Sequence, residues 1–473
     1  MVEHMEKTQN AGDTNIISDI NANSTNKNVK GRIDRIGHCI TNDNNTLPAC
    51  AEFTQPGDFS ERSCTFHGSK IIINSHIKNV IHLIHSPASC AYYSWDYRPD
   101  TYSFCFTTDI KEEDVVFGGE KKLYDAILKI CEEFNPDAIF VYETCQTALI
   151  GDDISAVVKE VKKKLKNTNH KNKDTPILAF ECAGFKGKTQ NKGHMIANKK
   201  LFELIATKEV EEVLEQPPTP YDVNIIGDFS TGSSNSIEQI FNKMGVRVLC
   251  SFTGNATIDR IRIMDSAKLN IVHCMKSSIQ FANMMEKVYE VPYIVSNFFG
   301  IQNCCDALEN IGKILDIDKK VVDNTIDYYL NKNEKELEYY KKELKGKKVF
   351  ICHGAQRALN YMGPTMEELE MEVVGVATYF ANKENYEKIV KQLPKGAVII
   401  DNPNTYELEN AIIDCKPDIF ISDSKTKELV HKLGIPYING RAPSTVYIGF
   451  DGFVNFAKDV YGAINSNIWK LVK

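Results

Sequence analysis

Short apolar segments alternate with amphipathic helical stretches through most of the 473-residue chain. Strands buried on both faces are apolar throughout, and parallel strands need a crossover connection, so this alternation predicts parallel sheets covered by helices. The sequence therefore predicts an α/β protein of three doubly wound, Rossmann-like domains with parallel sheets. The segments form three groups of four: 79–86, 103–109, 138–145 and 176–184; 223–230, 246–254, 269–274 and 293–300; and 348–354, 371–377, 396–403 and 418–424.

The borders of the domains follow from these groups and from composition. Residues 1–48 are rich in Asn, Thr, Asp and Lys and bury too little to offset the entropy of ordering, so we expect a flexible N-terminal arm. The first domain is expected over 49–217 and the second over 218–345, which includes most of a charged bridging helix. The third is expected over 346–452, and residues 453–473 are expected to return to the first domain.

Composition excludes several classes of function. Hydrophobic residues make up 42% and charged residues 25%, as in ordinary globular proteins, and the net charge of -7 gives no reason to expect a nucleic-acid partner. No apolar run approaches the ~20 residues that span a bilayer, and the N-terminus lacks the apolar core of a signal peptide. We therefore predict a cytoplasmic protein without a membrane partner. Its 14 cysteines are expected as thiols or metal ligands, not disulfides.

Cysteines stand where ligand sites are expected, because parallel sheets bind ligands at the carboxyl ends of their strands. Cys145 and Cys274 each end an apolar segment, Cys90 follows the first segment, Cys64 precedes another apolar run, and Cys182 lies near the end of the fourth segment. None of these has the C-x-x-C spacing of zinc ribbons or small ferredoxins, so ligands would have to converge from separate loops. From spacing alone, each is either a ligand or a buried thiol.

Nucleotide-binding motifs are missing. Gly187-Lys188-Thr189 matches the end of a phosphate-binding loop, but position 182 is Cys where the first glycine belongs. If ATP is used, another protein hydrolyses it.

Five longer segments resemble the nitrogenase component 1 superfamily, in order, within a resemblance that runs from about residue 50 to the C-terminus. The resemblance implies an α-like subunit of three Rossmann-like domains that pairs with a homologous β-like subunit, NifN-like or NifK-like, in an α2β2 assembly. It also implies electron supply by an iron protein that hydrolyses ATP. The segments are CAYYSWDYRPDTYSFCFTTDIKEEDVVFGGEKKLYDAI, TCQTALIGDD, ECAGFKGKTQNKGHMIAN, KLNIVHCMKSS and VYIGFDGFVNFAKDVYGAINSNIWKL.

The resemblance implies two metal sites. Cys64, Cys90 and Cys145 match the cysteines that hold an iron–sulfur cluster at the subunit interface, where the partner supplies the missing ligand. Cys274 matches the cysteine that holds the iron–molybdenum cofactor, or its iron–sulfur precursor, in a pocket between the domains. The remaining cysteines considered are expected as plain thiols: Cys39, Cys50, Cys105, Cys131, Cys304, Cys305 and Cys415.

A histidine of the cofactor pocket is missing. In the family it precedes the G-[YF]-[DE]-G motif, and here that position falls on Asn439 or on Arg441, depending on a one-residue gap. Neither an amide nor a guanidinium is a good metal ligand, so the cofactor would lose an anchor.

Other pocket positions are retained or replaced by polar residues. Gln190, His194, Arg98 and Arg357 match residues of the family pocket, and Lys276 stands where the family has a third arginine. Cationic donors offset the charge of an anionic metal–sulfur cluster, although side chains of this kind also occur in exposed loops.

Three functions remain open at this level. The first is a cofactor-assembly scaffold resembling NifE, whose cargo must leave and which therefore benefits from fewer permanent ligands. The second is a catalytic α chain of a nitrogenase or nitrogenase-like reductase with an altered metal site. The third is a paralogue without metal, which the retained cysteines disfavour. Whether the chain is an enzyme therefore stays open.

Overall fold

A computed structural model describes residues 64–97, 104–184, 190–228, 230–379, 381–423, 426–440 and 446–472. The described residues form three sheets, with strand orders β2-β1-β3-β4, β6-β5-β7-β8 and β11-β10-β9-β12-β13. Every strand pair in them is parallel. The predicted α/β fold with parallel sheets is therefore confirmed. The domain borders stay a proposal, and the expected N-terminal arm lies outside the described residues.

The first sheet and its helices come from the N-terminal part. They are the π-helix His67–Asn74, β1 (Val80–His85), α1 (Ala88–Tyr97), β2 (Cys105–Thr107), α2 (Glu112–Phe117), α3 (Glu120–Glu133), β3 (Ala138–Glu143), α4 (Cys145–Ile150), α5 (Ile154–Asn167), β4 (Ile177–Phe180), α6 (Gln190–Phe202) and α7 (Val210–Leu214). Ile81 and Ile139 pack against α3 and α5 on one face, and Ile84 and Phe140 pack toward α6 on the other. This alternation explains why these strands are apolar at nearly every position.

The second sheet is followed by the bridging helix. Its elements are β5 (Asp222–Asp228), α8 (Thr231–Lys243), β6 (Arg247–Thr253), α9 (Ile258–Arg262), a 3₁₀ turn (Met264–Ser266), β7 (Leu269–Val272), α10 (Met275–Tyr289), β8 (Tyr293–Val295), α11 (Ile301–Ile314) and α12 (Lys319–Leu344). The Asp318 side chain accepts a hydrogen bond from the Lys320 backbone and so caps α12, which is the charged helix expected from the sequence.

The third sheet is built from the C-terminal part. Its elements are β9 (Lys348–Gly354), α13 (Ala355–Glu367), β10 (Glu372–Tyr379), α14 (Lys383–Gln392), β11 (Val398–Asp401), α15 (Thr405–Cys415), β12 (Ile419–Ser422), α16 (Lys427–Lys432), β13 (Tyr437–Asn439), α17 (Phe450–Ile464) and α18 (Trp469–Val472). All twelve predicted apolar segments overlap a strand, and β13 is a thirteenth strand that the sequence reasoning missed.

The C-terminal segment departs from expectation. Residues 453–473 were expected to pack on the first domain, but Phe453, Phe456 and Val460 of α17 are buried in the core of the third sheet. The helix also lies along α12, where Asp451 accepts hydrogen bonds from Lys332 and Asn333. The apolar face of α17 is therefore buried in the core of the third sheet.

The described helices include none that combines the length and the apolar character required to cross a lipid bilayer.

Candidate metal centres

Cys90 and Cys145 follow neighbouring strands of the first sheet. Strands β1 and β3 pair in parallel so that His85 lies opposite Glu143, and Cys90 and Cys145 lie in the helices that start directly after them. Burial raises the pKa of the Cys90 thiol, and the nearby Cys145 raises it further, against hydrogen bonds from Ser89 and Thr144. The two sulfurs are thus close enough to interact electrostatically.

Backbone amides point at two of the three predicted interface sulfurs. The Cys64 sulfur accepts a hydrogen bond from the His67 backbone nitrogen, and the Cys145 sulfur accepts one from the Gly184 backbone nitrogen, each at 3.3 Å. Hydrogen bonds to the charged form of an acid favour that form, and such bonds to sulfur also tune metal–sulfur clusters. These donors therefore suit thiolates that bind metal.

The three cysteines do not enclose a single metal ion. Within the described ranges, no group of three or more His, Cys, Asp or Glu side chains is placed to hold one. Cys145 is exposed, and Cys64 and Cys90 are half-buried.

A buried polar network fixes the backbone behind these cysteines. The His85 Nε2 lies 2.9 Å from an Asp152 carboxylate oxygen, and its Nδ1 lies 3.0 Å from the Thr108 hydroxyl. Burial lowers the pKa of His85, although Asp152 opposes the effect. The His85 carbonyl accepts hydrogen bonds from the hydroxyls of Thr144 and Thr147, which flank Cys145. The end of β1 and the start of α4 are therefore locked together.

Cys274 lies in the second sheet, at the N-cap of α10 and directly after β7. Gly227 on the neighbouring strand has a positive φ of 89°. A Cβ at Gly227 would lie 2.9 Å from the Cys274 nitrogen and 3.1 Å from its Cβ. Glycine is therefore required for Cys274 to sit this close to β5.

Helix α6 carries Gln190 and His194 against the helix that follows Cys274. The Asn198 amide donates a 2.8 Å hydrogen bond to the Ser277 carbonyl and ties α6 to α10. Gln190 and His194 are both buried, and the Gln190 Oε1 has no hydrogen-bond partner among the described residues. A buried acceptor of this kind needs a hydrogen-bond donor, which a bound ligand would supply.

Arg357 connects the third sheet to the Cys274 region. Its Nη1 donates a 3.2 Å hydrogen bond to the Gly440 carbonyl, which also accepts one of 2.6 Å from the Tyr361 hydroxyl. Burial, together with the nearby Arg357 charge, lowers the pKa of His273 to about 4. The Arg357 charge therefore acts on His273, the residue directly before Cys274.

The remaining predicted pocket residues are placed only in part. Asn439 is half-buried and ends β13. Lys276 is the second residue of α10, and its side chain lies outside the described part of the chain. Arg98 and Arg441 also lie outside the described residues.

Sequence comparison with known proteins identifies the family of this chain. The family model described as nitrogenase component 1 type oxidoreductase matches residues 64–465. The chain belongs to the nitrogenase component 1 family. It is 39% identical to a nitrogenase molybdenum-iron protein alpha chain of Methanothermobacter marburgensis, covering 90% of this chain and 92% of that protein. It is 34% identical to the nitrogenase iron-molybdenum cofactor biosynthesis protein NifE of Methanococcus maripaludis, covering 92% and 89%.

A solved structure of this nitrogenase component 1 family has the same fold. Nitrogenase Cp1 matches with a TM-score of 0.79 and 28% identity, covering 92% of this chain and 94% of that chain. The predicted membership of the nitrogenase component 1 family is confirmed. Its relatives carry both names that the sequence left open, α chain and NifE.

The sequence reasoning missed one histidine of this region. His353 lies in β9, is 2% exposed, and its ring stacks on Tyr361 with centroids 5.8 Å apart. A signal was available, because His353 stands next to the end of an apolar segment, where ligand residues of parallel sheets are expected.

Proposed function

We propose that this chain is the α-like subunit of a cofactor-assembly scaffold resembling NifE, which holds an iron–sulfur cluster at its subunit interface and an iron–molybdenum cofactor precursor in its pocket. The observation that carries the proposal is the residue at the end of β13. The position of the family's imidazole falls on Asn439, which ends β13, or on Arg441, and neither is a good metal ligand, whereas Cys274 is kept. A cargo held only by the Cys274 thiolate can leave more easily than one held by a thiolate and an imidazole.

The interface site supports the same assignment. Cys145 is exposed, Cys64 and Cys90 are half-buried, and backbone amides are directed at the sulfurs of Cys64 and Cys145, which suits a cluster completed by a β-like subunit. When bound, such a cluster would supply electron transfer. The chain's own contribution is three thiolates and the buried His85–Asp152 pair, which lies behind the segments of Cys90 and Cys145.

An apolar patch next to Cys145 suits the docking of an iron protein. The patch comprises Val116 and Phe117 at the end of α2 and Leu149 on α4, exposed by 73%, 88% and 73%. Helices α2 and α4 contact each other, so the three side chains belong to one surface. Large exposed apolar side chains commonly mark protein contacts. Within this patch, Leu149 lies one helical turn from the predicted cluster ligand Cys145.

A catalytic α chain is the second candidate. Four α chains of methanogens support it at 36–39% identity, but a fifth matches at 32% and the NifE proteins match at 33–35%, so identity alone does not separate the two candidates. A reductase with a different metal centre would also be compatible with Asn439.

Anaerobic co-purification with the β-like partner distinguishes the two candidates. For a scaffold we expect iron in both sites, transfer of the second cluster to a cofactor-free nitrogenase, and no substrate reduction with an iron protein and ATP. Substrate turnover would overturn the scaffold and favour the α chain. A complex without iron would overturn both. The matched control is the Cys274→Ala complex, which should transfer nothing.

The partner's sequence offers an independent test. A β-like partner with three interface cysteines would favour an eight-iron cluster and catalysis. A partner with one would favour a four-iron cluster and the scaffold, because the cluster would then have four ligands in all.

A further inference from the structure

Two hydrogen bonds fix the turn that carries Cys64 just before the π-helix. The Cys64 sulfur accepts one from the His67 backbone nitrogen, and the Cys64 carbonyl oxygen accepts one from the Gly68 nitrogen, each at 3.3 Å. His67 is the first residue of the π-helix and is fully buried. Its imidazole therefore points into the protein from a backbone that contacts a predicted cluster ligand. Turns of π-helix are rare and often lie at functional sites.

The imidazole of His67 reaches the helix that carries Cys90. Its Nδ1 lies 2.8 Å from the Tyr93 hydroxyl oxygen, which is a hydrogen-bond distance, and the two ring centroids are 5.8 Å apart. Tyr93 stands three residues after Cys90 on α1, so the two side chains lie on the same side of that helix. One side-chain hydrogen bond therefore joins the segment of Cys64 to the segment of Cys90.

The segments of Cys90 and Cys145 are joined in a different way, through the first sheet. Strands β1 and β3 pair in parallel, and the carbonyl of His85 at the end of β1 accepts a hydrogen bond from the hydroxyl of Thr144, directly before Cys145. Cys64 precedes the π-helix and belongs to no strand of this sheet. Its distance from the other two sulfurs therefore depends on how the π-helix packs against α1 and α6.

We propose that His67 and Tyr93 are positioning residues of the interface cluster, which hold the Cys64 sulfur at the spacing from Cys90 that a shared iron–sulfur cluster requires. This role rests on the proposed function, because it needs a cluster at the subunit interface. Neither side chain binds iron, and both act through the backbone turn of Cys64 and through α1. Contacts of this kind, one shell outside the metal ligands, orient those ligands.

Loss of the His67–Tyr93 bond should change the cluster electronically as well as mechanically. Without it the turn of Cys64 is held less firmly, and the amide bond from His67 to the Cys64 sulfur weakens. Hydrogen bonds to the sulfurs stabilise the reduced cluster, because that form carries the larger negative charge. A weaker bond therefore makes the interface cluster harder to reduce.

Tyr93→Phe tests this role with the smallest change, since it removes the hydroxyl and keeps the ring. The protein is the complex with the β-like partner, purified anaerobically. We expect the midpoint potential of the interface cluster, from a redox titration followed by electron paramagnetic resonance, to become more negative than in the wild type. The iron affinity of the site, measured by competition with a chelator, should fall on the order of tenfold.

Variants of His67 test whether the two residues act as a pair. His67→Ala should shift the potential in the same direction, and the double variant with Tyr93→Phe should shift it no further than the larger single change, because both remove one bond. His67→Asn should keep the wild-type potential, since asparagine places a polar atom where the imidazole has Nδ1. If His67→Ala does not fold, Tyr93→Phe and His67→Asn carry the test.

Tyr92→Phe is the matched control, because Tyr92 is the neighbouring residue on α1 and is 66% exposed. It should leave the potential and the iron affinity unchanged.

The outcomes distinguish this role from the proposed function. A contribution to folding alone would lower the unfolding temperature of Tyr93→Phe and leave the potential and iron affinity as in the wild type, which would overturn the positioning role. Additive shifts in the double variant would overturn it as well. A wild-type complex without an interface cluster would instead overturn the proposed function.

Discussion

The carboxylate of Glu368 lies 2.7 Å from the backbone nitrogen of Ile301, so a residue just after α13 caps the first turn of α11. A second bond of 3.2 Å comes from the Gln302 nitrogen. The cap joins α11, in the core of the second sheet, to the end of α13, in the core of the third. The N-cap residue of α11 is Gly300, which has no side chain that could cap the helix. Buried helix ends need such partners for their free amides.

The burial of this capping carboxyl predicts that the stability of the protein depends on pH. Burial raises the pKa of Glu368, although the two amides oppose the effect. Because the pKa of Glu368 is higher in the folded state, the protonated form favours folding. This contribution to the free energy of unfolding is fully present below the unfolded-state pKa near 4.5, and it is lost as the pH rises through the folded-state pKa. The loss amounts to about 1.4 kcal/mol for every tenfold difference in proton affinity between the folded and unfolded states, and it should vanish in Glu368→Gln. The measurement is chemical denaturation of both proteins from pH 4.5 to 8. A difference in unfolding free energy that stays constant with pH would contradict the prediction.

The Asp222–Arg247 ion pair should have the opposite dependence. Burial alone would raise the pKa of Asp222, but hydrogen bonds from Arg247 and Thr219 outweigh it and hold the pKa below its usual value. Its stabilising effect is therefore present above pH 3.8 and lost as pH falls through the lower folded pKa. Asp222→Asn should cost about 3 kcal/mol at neutral pH, because it leaves Arg247 without its charge partner.

Denaturation at pH 7 and at pH 3 checks this second dependence. The penalty of Asp222→Asn should shrink at the lower pH. Asp125→Asn is the control, because Asp125 pairs with Lys121 on an exposed helix surface and should leave stability nearly unchanged. An equal penalty at both pH values would contradict the prediction.

Changing Cys145 to Ala should remove the interface cluster and weaken subunit pairing. The reason is that Cys145 is exposed at the start of α4, where its sulfur can reach a second chain. Iron content and gel filtration of the co-expressed complex check the prediction. Cys305→Ala, at a half-buried thiol on α11, should leave both unchanged. Full iron and an intact complex in Cys145→Ala would argue against a ligand role.

Cys274 and Cys90 should separate the two clusters. Cys274→Ala should spare the interface signal and lose the second cluster, whereas Cys90→Ala should lose the interface cluster. The two residues lie in different sheets, after β7 and β1, so each change should act at its own site. Electron paramagnetic resonance and metal analysis of both variants check this. A Cys274→Ala complex with full second-cluster iron would show that the pocket assignment is wrong.

Gly193→Ala should destabilise the first domain strongly. A Cβ at Gly193 would lie 2.0 Å from the Thr65 carbonyl oxygen, which is backbone and cannot simply turn away. Overpacking of this kind costs about 1–3 kcal/mol or more. Gly462→Ala is the control, because a Cβ there meets open space in α17, and it should stabilise by about 0.5–1 kcal/mol. Thermal unfolding of the two variants, with a lower midpoint only for Gly193→Ala, checks the prediction.

Local patterns were sufficient to predict most strands of this fold. Segments such as 79–86 and 138–145 are apolar at nearly every position because β1 and β3 are covered on both faces, and that property is visible in the sequence. The three residues of β13 are too short for a periodic signal, so this strand was missed. The placement of α17 was wrong because its apolar stripe does not specify which of three cores it joins.

The sequence predicted those site residues that lie directly after a strand. That rule reached Cys145 and Cys274, and the family resemblance assigned them to different sites. It did not reach the neighbourhood of His353, because contact with Gly440 joins positions 87 residues apart through the packing of β9, β12 and β13. The amide bonds to the Cys64 and Cys145 sulfurs likewise depend on loop geometry that no local pattern encodes.

Helix α6 lies between the two predicted metal sites and is fastened to both. Gly193 presses it against Thr65, next to Cys64, and Asn198 ties it to Ser277, near Cys274. Electron tunnelling slows steeply with distance and needs no moving carrier when donor and acceptor are held rigidly. In this chain the spacing between clusters bound at the two predicted sites would therefore depend on how α6 packs against both of its neighbours.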